Sequence, residues 1–127
     1  MVFVKGHGTQ NDFLVLPDPD GTLALSARLV SALCDRRRGL GADGVLRVVR
    51  VEAAGPDAAD AVGAAEWFMD YRNADGSLAE MCGNGVRVYA RYLVESGLAS
   101  GPRLPILTRA GLVVAEIGRE TIAVQMP

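Results

Sequence analysis

Short runs of strand-forming, mostly apolar residues recur along this chain, and each predicts a strand. Turn-forming residues, chiefly glycine, proline and aspartate, separate the runs. The pattern predicts strands at 2–5, 13–16, 45–51, 66–71, 104–108, 112–117 and 121–126. The stretch 53–63, rich in Ala, Gly, Pro and Asp, is predicted to be a variable loop.

The first helical segment has its apolar residues on one face: Leu29, Val30, Leu33 and Cys34. Ser26 precedes them and is suited to cap the start of the helix. We expect the helix to run to about Arg38, with Gly39 as the residue that ends it. The basic run 36–38 is interpreted as stabilising the carboxyl end of the helix rather than as a binding patch.

The second helical segment is apolar around most of its circumference: Val86, Val88, Tyr89, Ala90, Tyr92, Leu93 and Val94. Its polar residues form one stripe with a spacing of four: Arg87, Arg91 and Glu95. We expect this helix to begin after Cys82 and to end at Gly97. A helix that is apolar on most sides must be buried, so the pattern predicts a sheet wrapped around it.

Composition limits the class of protein. The chain has 127 residues, of which 50% are hydrophobic, so it can form the core of one domain. The formal net charge of -2 argues against a nucleic acid or an anionic membrane as partner. No apolar run is long enough for a membrane-spanning helix, and the first residues lack the pattern of a secretion signal. We therefore expect a cytoplasmic location.

The two cysteines stand in different contexts, which argues against a disulfide framework. Cys34 lies on the apolar face of the first helical segment and is expected to pack as a small hydrophobic residue. The chain has a single histidine, His7, and no cysteine pair at ligand spacing, so no metal site is expected.

The strongest candidate for chemistry is Cys82. It follows the turn sequence Asn-Ala-Asp-Gly-Ser at 73–77 and stands within Met-Cys-Gly-Asn-Gly at 81–85, just before the second helix. The free N–H groups and the dipole of a helix N-terminus stabilise the thiolate form of a cysteine. Glycines beside it allow the backbone to approach a ligand closely. This arrangement suits proton transfer or nucleophilic attack by sulfur.

Four segments together carry a resemblance to a known family. Residues 5–13, 39–44, 73–77 and 81–87 resemble diaminopimelate epimerase, and their order and spacing fit the amino-terminal half of that enzyme. The resemblance spans essentially the whole chain. It implies an α+β fold of two pseudo-symmetric domains, each a strongly curved mixed or antiparallel sheet around a central helix, with the substrate in the cleft between them.

The resemblance also implies an activity and a site. The family interconverts LL- and meso-2,6-diaminopimelate without a cofactor, in lysine and peptidoglycan biosynthesis, and uses one cysteine from each domain as acid and base. Cys82 matches the amino-terminal cysteine, while Asn11, Asn73, Gly83 and Asn84 match positions that contact substrate.

On this interpretation, residues 1–127 are the amino-terminal domain and the carboxy-terminal domain is absent from the chain. The second cysteine would then come from a separate carboxy-terminal half or from a second copy, for instance in a homodimer. We expect the chain alone to be inactive as an epimerase. An apolar face left where the other domain docks predicts self-association.

Other interpretations remain open at the level of sequence. A proline racemase-like or phenazine-biosynthesis-like isomerase would share the fold, and a non-catalytic binding remnant would explain the single acid/base residue. Asn11, Asn73 and Asn84 could serve only as turn or capping residues. His7 is expected to hydrogen-bond within its loop, and Asp43 and Asp75 are expected to stabilise turns.

Overall fold

The computed structural model describes residues 3–7, 11–55, 58, 63–118 and 121–125. Two α-helices lie in these ranges, α1 (Ala27–Cys34) and α2 (Gly83–Glu95). The strands form one sheet: β1 (Val4–His7), β2 (Asp12–Pro17), β3 (Gly44–Arg50), β4 (Trp67–Asn73), β5 (Arg103–Thr108), β6 (Gly111–Ile117) and β7 (Ile122–Gln125).

The strands lie side by side in chain order, from β1 at one edge to β7 at the other. The pairs β2–β3 and β4–β5 are parallel, and the other neighbouring pairs are antiparallel. A parallel pair requires a long crossover, and α1 and α2 lie in the two crossovers. The sheet is therefore mixed.

Helix α2 lies inside the curve of the sheet. It contacts β2, β3, β4, β6 and β7, so strands near both edges reach the same helix and the sheet must bend around it. Val86, Val88, Tyr89, Ala90 and Leu93 are buried as the sequence pattern predicts, whereas Tyr92 and Val94 are only half-buried. Tyr89 donates from its hydroxyl to the carbonyl of Phe68, at 2.7 Å. Arg87, Arg91 and Glu95 are exposed. The curved mixed sheet around a central helix is confirmed.

The outer face of the sheet is covered in two places. Helix α1 packs over β2 and β3 through a cluster of buried apolar residues: Leu14, Leu16, Val30, Cys34, Ala42 and Val45. A single 3₁₀ turn, Val51–Ala53, lies at a second apolar cluster that includes Val49, Phe68 and Leu107. Cys34 is 3% exposed, which confirms its packing role.

A buried network of charges, centred on Asp70, also lies on the outer face. Asp70 is fully buried and accepts hydrogen bonds from Arg47 (2.8 Å), Arg72 (2.9 and 3.1 Å) and Arg109 (2.6 Å). Arg47 also donates to buried Asp18, at 3.0 Å. Burial opposes ionisation of Asp70, but the hydrogen bonds from Arg72 and Arg109 more than offset it and lower the pKa of that carboxyl.

The predicted end of the first helix is wrong. Helix α1 begins as expected, with Ser26 Oγ accepting from the amide of Leu29 at 3.0 Å, but it ends at Cys34 rather than near Arg38. Asp35 leaves the helical conformation, and its carboxylate accepts the amides of Arg37 and Arg38. The basic run therefore lies beyond the last helical turn and does not act as helix-end chemistry.

The other predicted elements differ mainly at their bounds. The first strand begins at Val4 and continues to His7, and β4 extends through Asn73. The turn that follows β4 and the start and end of α2, at Cys82 and Gly97, are as predicted. Positions 2, 8–10, 56–57, 59–62 and 126 lie outside the described residues, as does the side chain of His7.

Within the described part of the chain, no helix has the length and apolar character needed to cross a membrane.

Candidate active site

Four strands, β1 to β4, have one of their ends side by side. We call this side of the sheet the site edge; it is distinct from the edge strands β1 and β7. His7 pairs with Asp12, Phe13 with Gly44, and Gly44 with Asn73. Strands β1 and β4 therefore end where β2 and β3 begin. Asn11 immediately precedes β2 and Asn73 is the last residue of β4, so both stand at this edge.

A tight turn leaves this edge after β4. The amide of Gly76 donates to the carbonyl of Asn73 at 2.8 Å, and the amide of Asn73 donates to the carbonyl of Ser77 at 2.9 Å. Asp75 accepts both the amide and the hydroxyl of Ser77, at 2.9 and 2.6 Å, which confirms its role in the turn. The side-chain amide of Asn73 donates to Ser77 Oγ at 3.0 Å, so one of its N–H groups is used within the turn.

Cys82 is the N-cap residue of α2. Its backbone is extended (φ -148°, ψ 129°), and its carbonyl accepts the amide of Val86 at 2.9 Å. Its side chain makes no capping hydrogen bond and is half-buried beside the core that α2 forms with the sheet. Because the first amides of a helix have no partner within it, those of Gly83 and Asn84 are available to a ligand near the sulfur.

Asn84, two residues after Cys82, is linked to the edge of the sheet. Its side-chain nitrogen donates to Asn11 Oδ1 at 3.0 Å, across a sequence separation of 73 residues. Arg87, one turn later on α2, donates from Nη1 to Asn84 Oδ1 at 3.1 Å. The contact between Asn11 and Asn84 ties the residue before β2 to the start of the helix that carries the thiol.

Tyr71 forms the wall of the site on the inner face of β4. Its ring packs edge-on against Phe13, with 5.9 Å between ring centroids. A side chain at Gly44 would collide with this ring, because an added Cβ would lie 2.9 Å from Tyr71 Cε1. Burial, and then the charges of Cys82 and Asp43, raise the pKa of the Tyr71 hydroxyl.

Carboxylates and cations stabilise the start of β2, next to Asn11. The sequence predicts that Asp43 stabilises its own turn, but its carboxylate accepts the backbone amide of Asp12, 31 residues away, at 2.9 Å. Arg36 bridges the two carboxylates, at 2.9 and 3.2 Å, and Lys5 lies 3.3 Å from Asp12. The hydrogen bond from Arg36 is the largest influence on Asp12 and holds the pKa of that carboxyl well below its usual range.

Residues 3–127 match the family described as diaminopimelate epimerase. The chain belongs to the diaminopimelate epimerase family. It is 66% identical over 114 residues to the diaminopimelate epimerase of Thermobifida fusca, an alignment that covers 87% of this chain and 42% of that protein. It is 56% identical over 119 residues to the enzyme of Streptomyces coelicolor, covering 94% of this chain and 41% of the relative. The chain thus spans less than half the length of these relatives.

Solved structures show the same fold at low sequence identity. A probable proline racemase from Agrobacterium radiobacter superposes with a TM-score of 0.63 and 17% identity, covering 98% of this chain and 41% of that one. A phenazine biosynthesis protein from Bacillus anthracis gives a TM-score of 0.59 and 20% identity, covering 91% and 34%. At such identities these likenesses concern the fold alone.

The described residues of this diaminopimelate epimerase family member bring the expected site residues together only in part. Asn11 and Asn84 are in direct contact, and Gly83 and Asn84 follow Cys82 at the helix start. Asn73 lies at the same edge of the sheet, but its side-chain nitrogen donates to Ser77 in its own turn. Whether these residues contact a substrate stays a prediction.

Two site residues escape the sequence reasoning. Tyr71 is two positions before Asn73, so strand alternation places it on the same face, and this signal was available. Arg87 stands on the polar stripe of α2, which the sequence leaves either solvated or facing the cleft, and its bond to Asn84 is not visible from that stripe. In the described residues, no three His, Cys, Asp or Glu side chains are grouped so as to hold a metal ion.

Proposed function

We propose that this chain supplies one half of the active site of a cofactor-independent diaminopimelate epimerase, with Cys82 as one of two acid/base groups. The observation that carries the proposal is the half-buried Cys82 side chain at the uncapped start of α2, beside the Asn84–Asn11 pair, in a member of this family. A thiol in that place is partly exposed and adjoins the first backbone amides of the helix, which have no partner within it.

The proposed chemistry is an exchange of protons at one carbon. One group, as thiolate, removes the α-proton and becomes a thiol, while a second thiol on the opposite face delivers a proton and becomes a thiolate. Configuration inverts and nothing is oxidised or reduced. Because an α-proton is a weak acid, the charge that develops on the carboxylate needs oriented donors. The amides of Gly83 and Asn84 are suited to this role.

The amide side chains at the edge are proposed to bind substrate. Within the described ranges, Asn11, whose oxygen accepts from Asn84, keeps its two N–H donors, and Asn73 keeps its oxygen and one N–H group. Together they suit the paired ammonium and carboxylate groups of an amino acid. Both stand where β2 begins and β4 ends, close to the start of α2.

The second acid/base group is proposed to lie outside this chain's described residues. Cys34 is unsuited to the role because it is buried under α1 on the outer face of the sheet, and burial raises the pKa of its thiol. The partner group would come from a carboxy-terminal portion, such as the longer relatives have, or from a second copy. We propose that the chain alone is inactive, and that the assembled enzyme acts in the cytoplasm in lysine and peptidoglycan biosynthesis.

The test is hydrogen exchange at the α-carbon of LL- and meso-diaminopimelate in deuterated water. The chain is assayed alone, and again after addition of the carboxy-terminal portion of the Thermobifida fusca relative. We expect no exchange alone and exchange with inversion after addition. Cys82→Ala should abolish exchange, while Cys34→Ala should keep it, because Cys82 is accessible and Cys34 is buried.

Two outcomes would favour an alternative function, and a third would refute the role of Cys82. Proline exchanged in place of diaminopimelate would favour a racemase of the same fold. Binding of diaminopimelate by calorimetry, without exchange in any combination, would favour a non-catalytic binding module. Near-normal exchange by Cys82→Ala would refute the role of Cys82.

A further inference from the structure

Arg87 is held from two sides although it is exposed to solvent. Its Nη1 donates to Asn84 Oδ1 at 3.1 Å, and its Nε donates to the backbone carbonyl of Ile122 on β7 at 3.2 Å. Residue 87 therefore joins the edge strand of the sheet to the side chain of a candidate substrate contact. An arginine whose only role is to be solvated on a polar stripe would not require these two hydrogen bonds.

The chemistry of the guanidinium fixes the direction of the hydrogen bonds that follow. Arginine has only N–H donors, so the group of Asn84 that faces it must be the carbonyl oxygen. The opposite orientation of that amide would set donor against donor. The nitrogen of Asn84 is thereby turned toward Asn11, where it donates to Oδ1 at 3.0 Å.

The same reasoning carries one residue further. Because Asn11 Oδ1 is occupied by Asn84, the amide nitrogen of Asn11 points away from that pair with its two N–H groups. A group that faces a ligand with donors is suited to an anion, and a carboxylate is the anion that an amino-acid substrate presents. Arg87 therefore sets the donor-to-acceptor direction of the hydrogen bonds that run from Arg87 through Asn84 to Asn11.

We propose that Arg87 is a positioning residue that orients the side-chain amides of Asn84 and Asn11, so that Asn11 offers N–H donors to a carboxylate of the substrate. This inference rests on the proposed function for the identity of that substrate. Arg87 does not touch the reacting atoms; it acts through Asn84. Since an exposed arginine contributes little to folding, loss of its side chain should be felt at the site more than in stability.

The chain offers a matched control. Arg91 stands one turn later on the same exposed stripe of α2 and borders a cavity of about 230 Å³ with Val94 and Ile117, away from Asn84. Arg87→Met and Arg91→Met remove the same charge and the same donors from the same face of the helix. Arg87→Lys keeps the charge and can still donate to Asn84, so it should rescue part of the function.

The kinetic experiment uses the chain completed with the carboxy-terminal portion of the Thermobifida fusca relative. For Arg87→Met we expect KM for diaminopimelate to rise about tenfold, with kcat within about threefold, because ground state and transition state lose the same contact. Arg87→Lys should lie between wild type and Arg87→Met, and Arg91→Met should stay within twofold of wild type. Equal KM increases in Arg87→Met and Arg91→Met, or an unchanged KM in Arg87→Met, would overturn the proposal.

A second measurement separates this inference from the proposed function. In the isolated chain, NMR of the side-chain amides should show a contact between the NH₂ group of Asn84 and the side chain of Asn11, and Arg87→Met should lose it. If the completed enzyme shows no epimerase activity but this contact depends on Arg87, the positioning role stands and only the substrate is wrong. If the contact survives in Arg87→Met, the positioning role is refuted whatever the activity.

Discussion

The two helices of this domain begin in opposite ways. Helix α1 begins at Ser26, whose hydroxyl accepts the amide of Leu29 at 3.0 Å, so its first turn is satisfied from within the chain. Helix α2 begins at Cys82, whose side chain caps nothing. A capping side chain contributes about 1 kcal/mol to stability. The second helix forgoes that contribution where the candidate site lies, which leaves its amides available to a ligand.

The first helix nevertheless supports the second. The turn 73–77, which leads from β4 towards α2, packs through Gly76 against Ala27, the first residue of α1. Arg72 donates from Nη1 to the carbonyl of Leu25 at 2.9 Å and is itself held by Asp70. The satisfied helix start is thus a platform for the chain segment that approaches the unsatisfied one.

The largest expected effect comes from removing the charge of Asp70, which holds Arg72 against the start of α1. Asp70→Asn leaves three arginines without their shared buried carboxylate, and we expect the free energy of unfolding to fall by about 3–5 kcal/mol. Glu66→Gln is the control, because Glu66 pairs with Arg50 on the surface, and it should cost less than about 1 kcal/mol. Urea unfolding measures both. Equal losses would show that the Asp70 network does not support the fold.

Acid should remove the same stabilisation. The folded-state pKa of Asp70 lies below its unfolded value of about 3.9, so its contribution is fully present above that value and is lost as pH falls through the folded pKa. Urea unfolding between about pH 5 and pH 2 should therefore show a steeper loss of stability with acid in the wild type than in Asp70→Asn. Parallel curves would contradict this assignment, since the other carboxylates are common to both proteins.

The contact between the turn and α1 is tested with a pair of glycines. Gly76 has φ +88°, and an added Cβ would collide with the backbone of Ala27, so Gly76→Ala should cost about 3 kcal/mol. Gly85, inside α2, has room for a methyl group, with its nearest neighbours at 3.6–3.8 Å. Gly85→Ala should therefore leave stability unchanged or raise it by up to about 1 kcal/mol. Thermal unfolding that ranks the two variants in reverse order would contradict the packing described.

The cap of α1 gives a smaller effect. Ser26→Ala removes the acceptor for the amide of Leu29 and should lower the free energy of unfolding by about 1 kcal/mol. Ser26→Thr, which keeps a hydroxyl, should cost less. Hydrogen exchange at the Leu29 amide should accelerate in Ser26→Ala, and an unchanged rate would show that the cap is not formed in solution.

The smallest effect has the opposite sign. Cys82→Ser places a capping hydroxyl on an extended N-cap residue and should raise the free energy of unfolding by about 0.5 kcal/mol, even as it removes the proposed acid/base group. Cys34→Ser puts the same hydroxyl into an apolar cluster and should lower stability by about 1–3 kcal/mol. Two losses of similar size would show that the α2 start is not short of a cap.

Much of the fold follows from local patterns. The burial of α2 was predictable because its apolar residues surround the helix, and each strand was predictable as a short, mostly apolar run between turn residues. The end of α1 was not predictable in the same way. Arg36 bonds to Asp12 and Asp43, and these carboxylates are brought near it only when β2 and β3 form. A helix signal that continues to Arg38 is overruled by the local turn that Asp35 forms, together with these partners distant in sequence.

The candidate site likewise has one part that local sequence predicts and another that depends on residues distant in sequence. Cys82 and its glycines stand out in sequence because the chemistry of a helix start is local. The bond between Asn84 and Asn11 joins residues 73 positions apart, and its direction depends on Arg87, so no local pattern reveals it. The Asp70 network likewise draws on β3, β4 and the turn after β5, and single positions in these elements carry no mark of a shared partner.

The strand order has a consequence for synthesis on the ribosome. Because the strands stand in the sheet in the order in which they are translated, each new strand finds its neighbour already made. New strands are added at one edge of the sheet. The longest delays before the next strand is translated fall in the two crossovers between parallel strands, from Pro17 to Gly44 and from Asn73 to Arg103. At about 5–20 residues per second, each delay lasts roughly 1–6 s. The helix translated during each delay, α1 and then α2, gains its full set of neighbours only later, because α1 also packs on β3 and α2 also contacts β6 and β7.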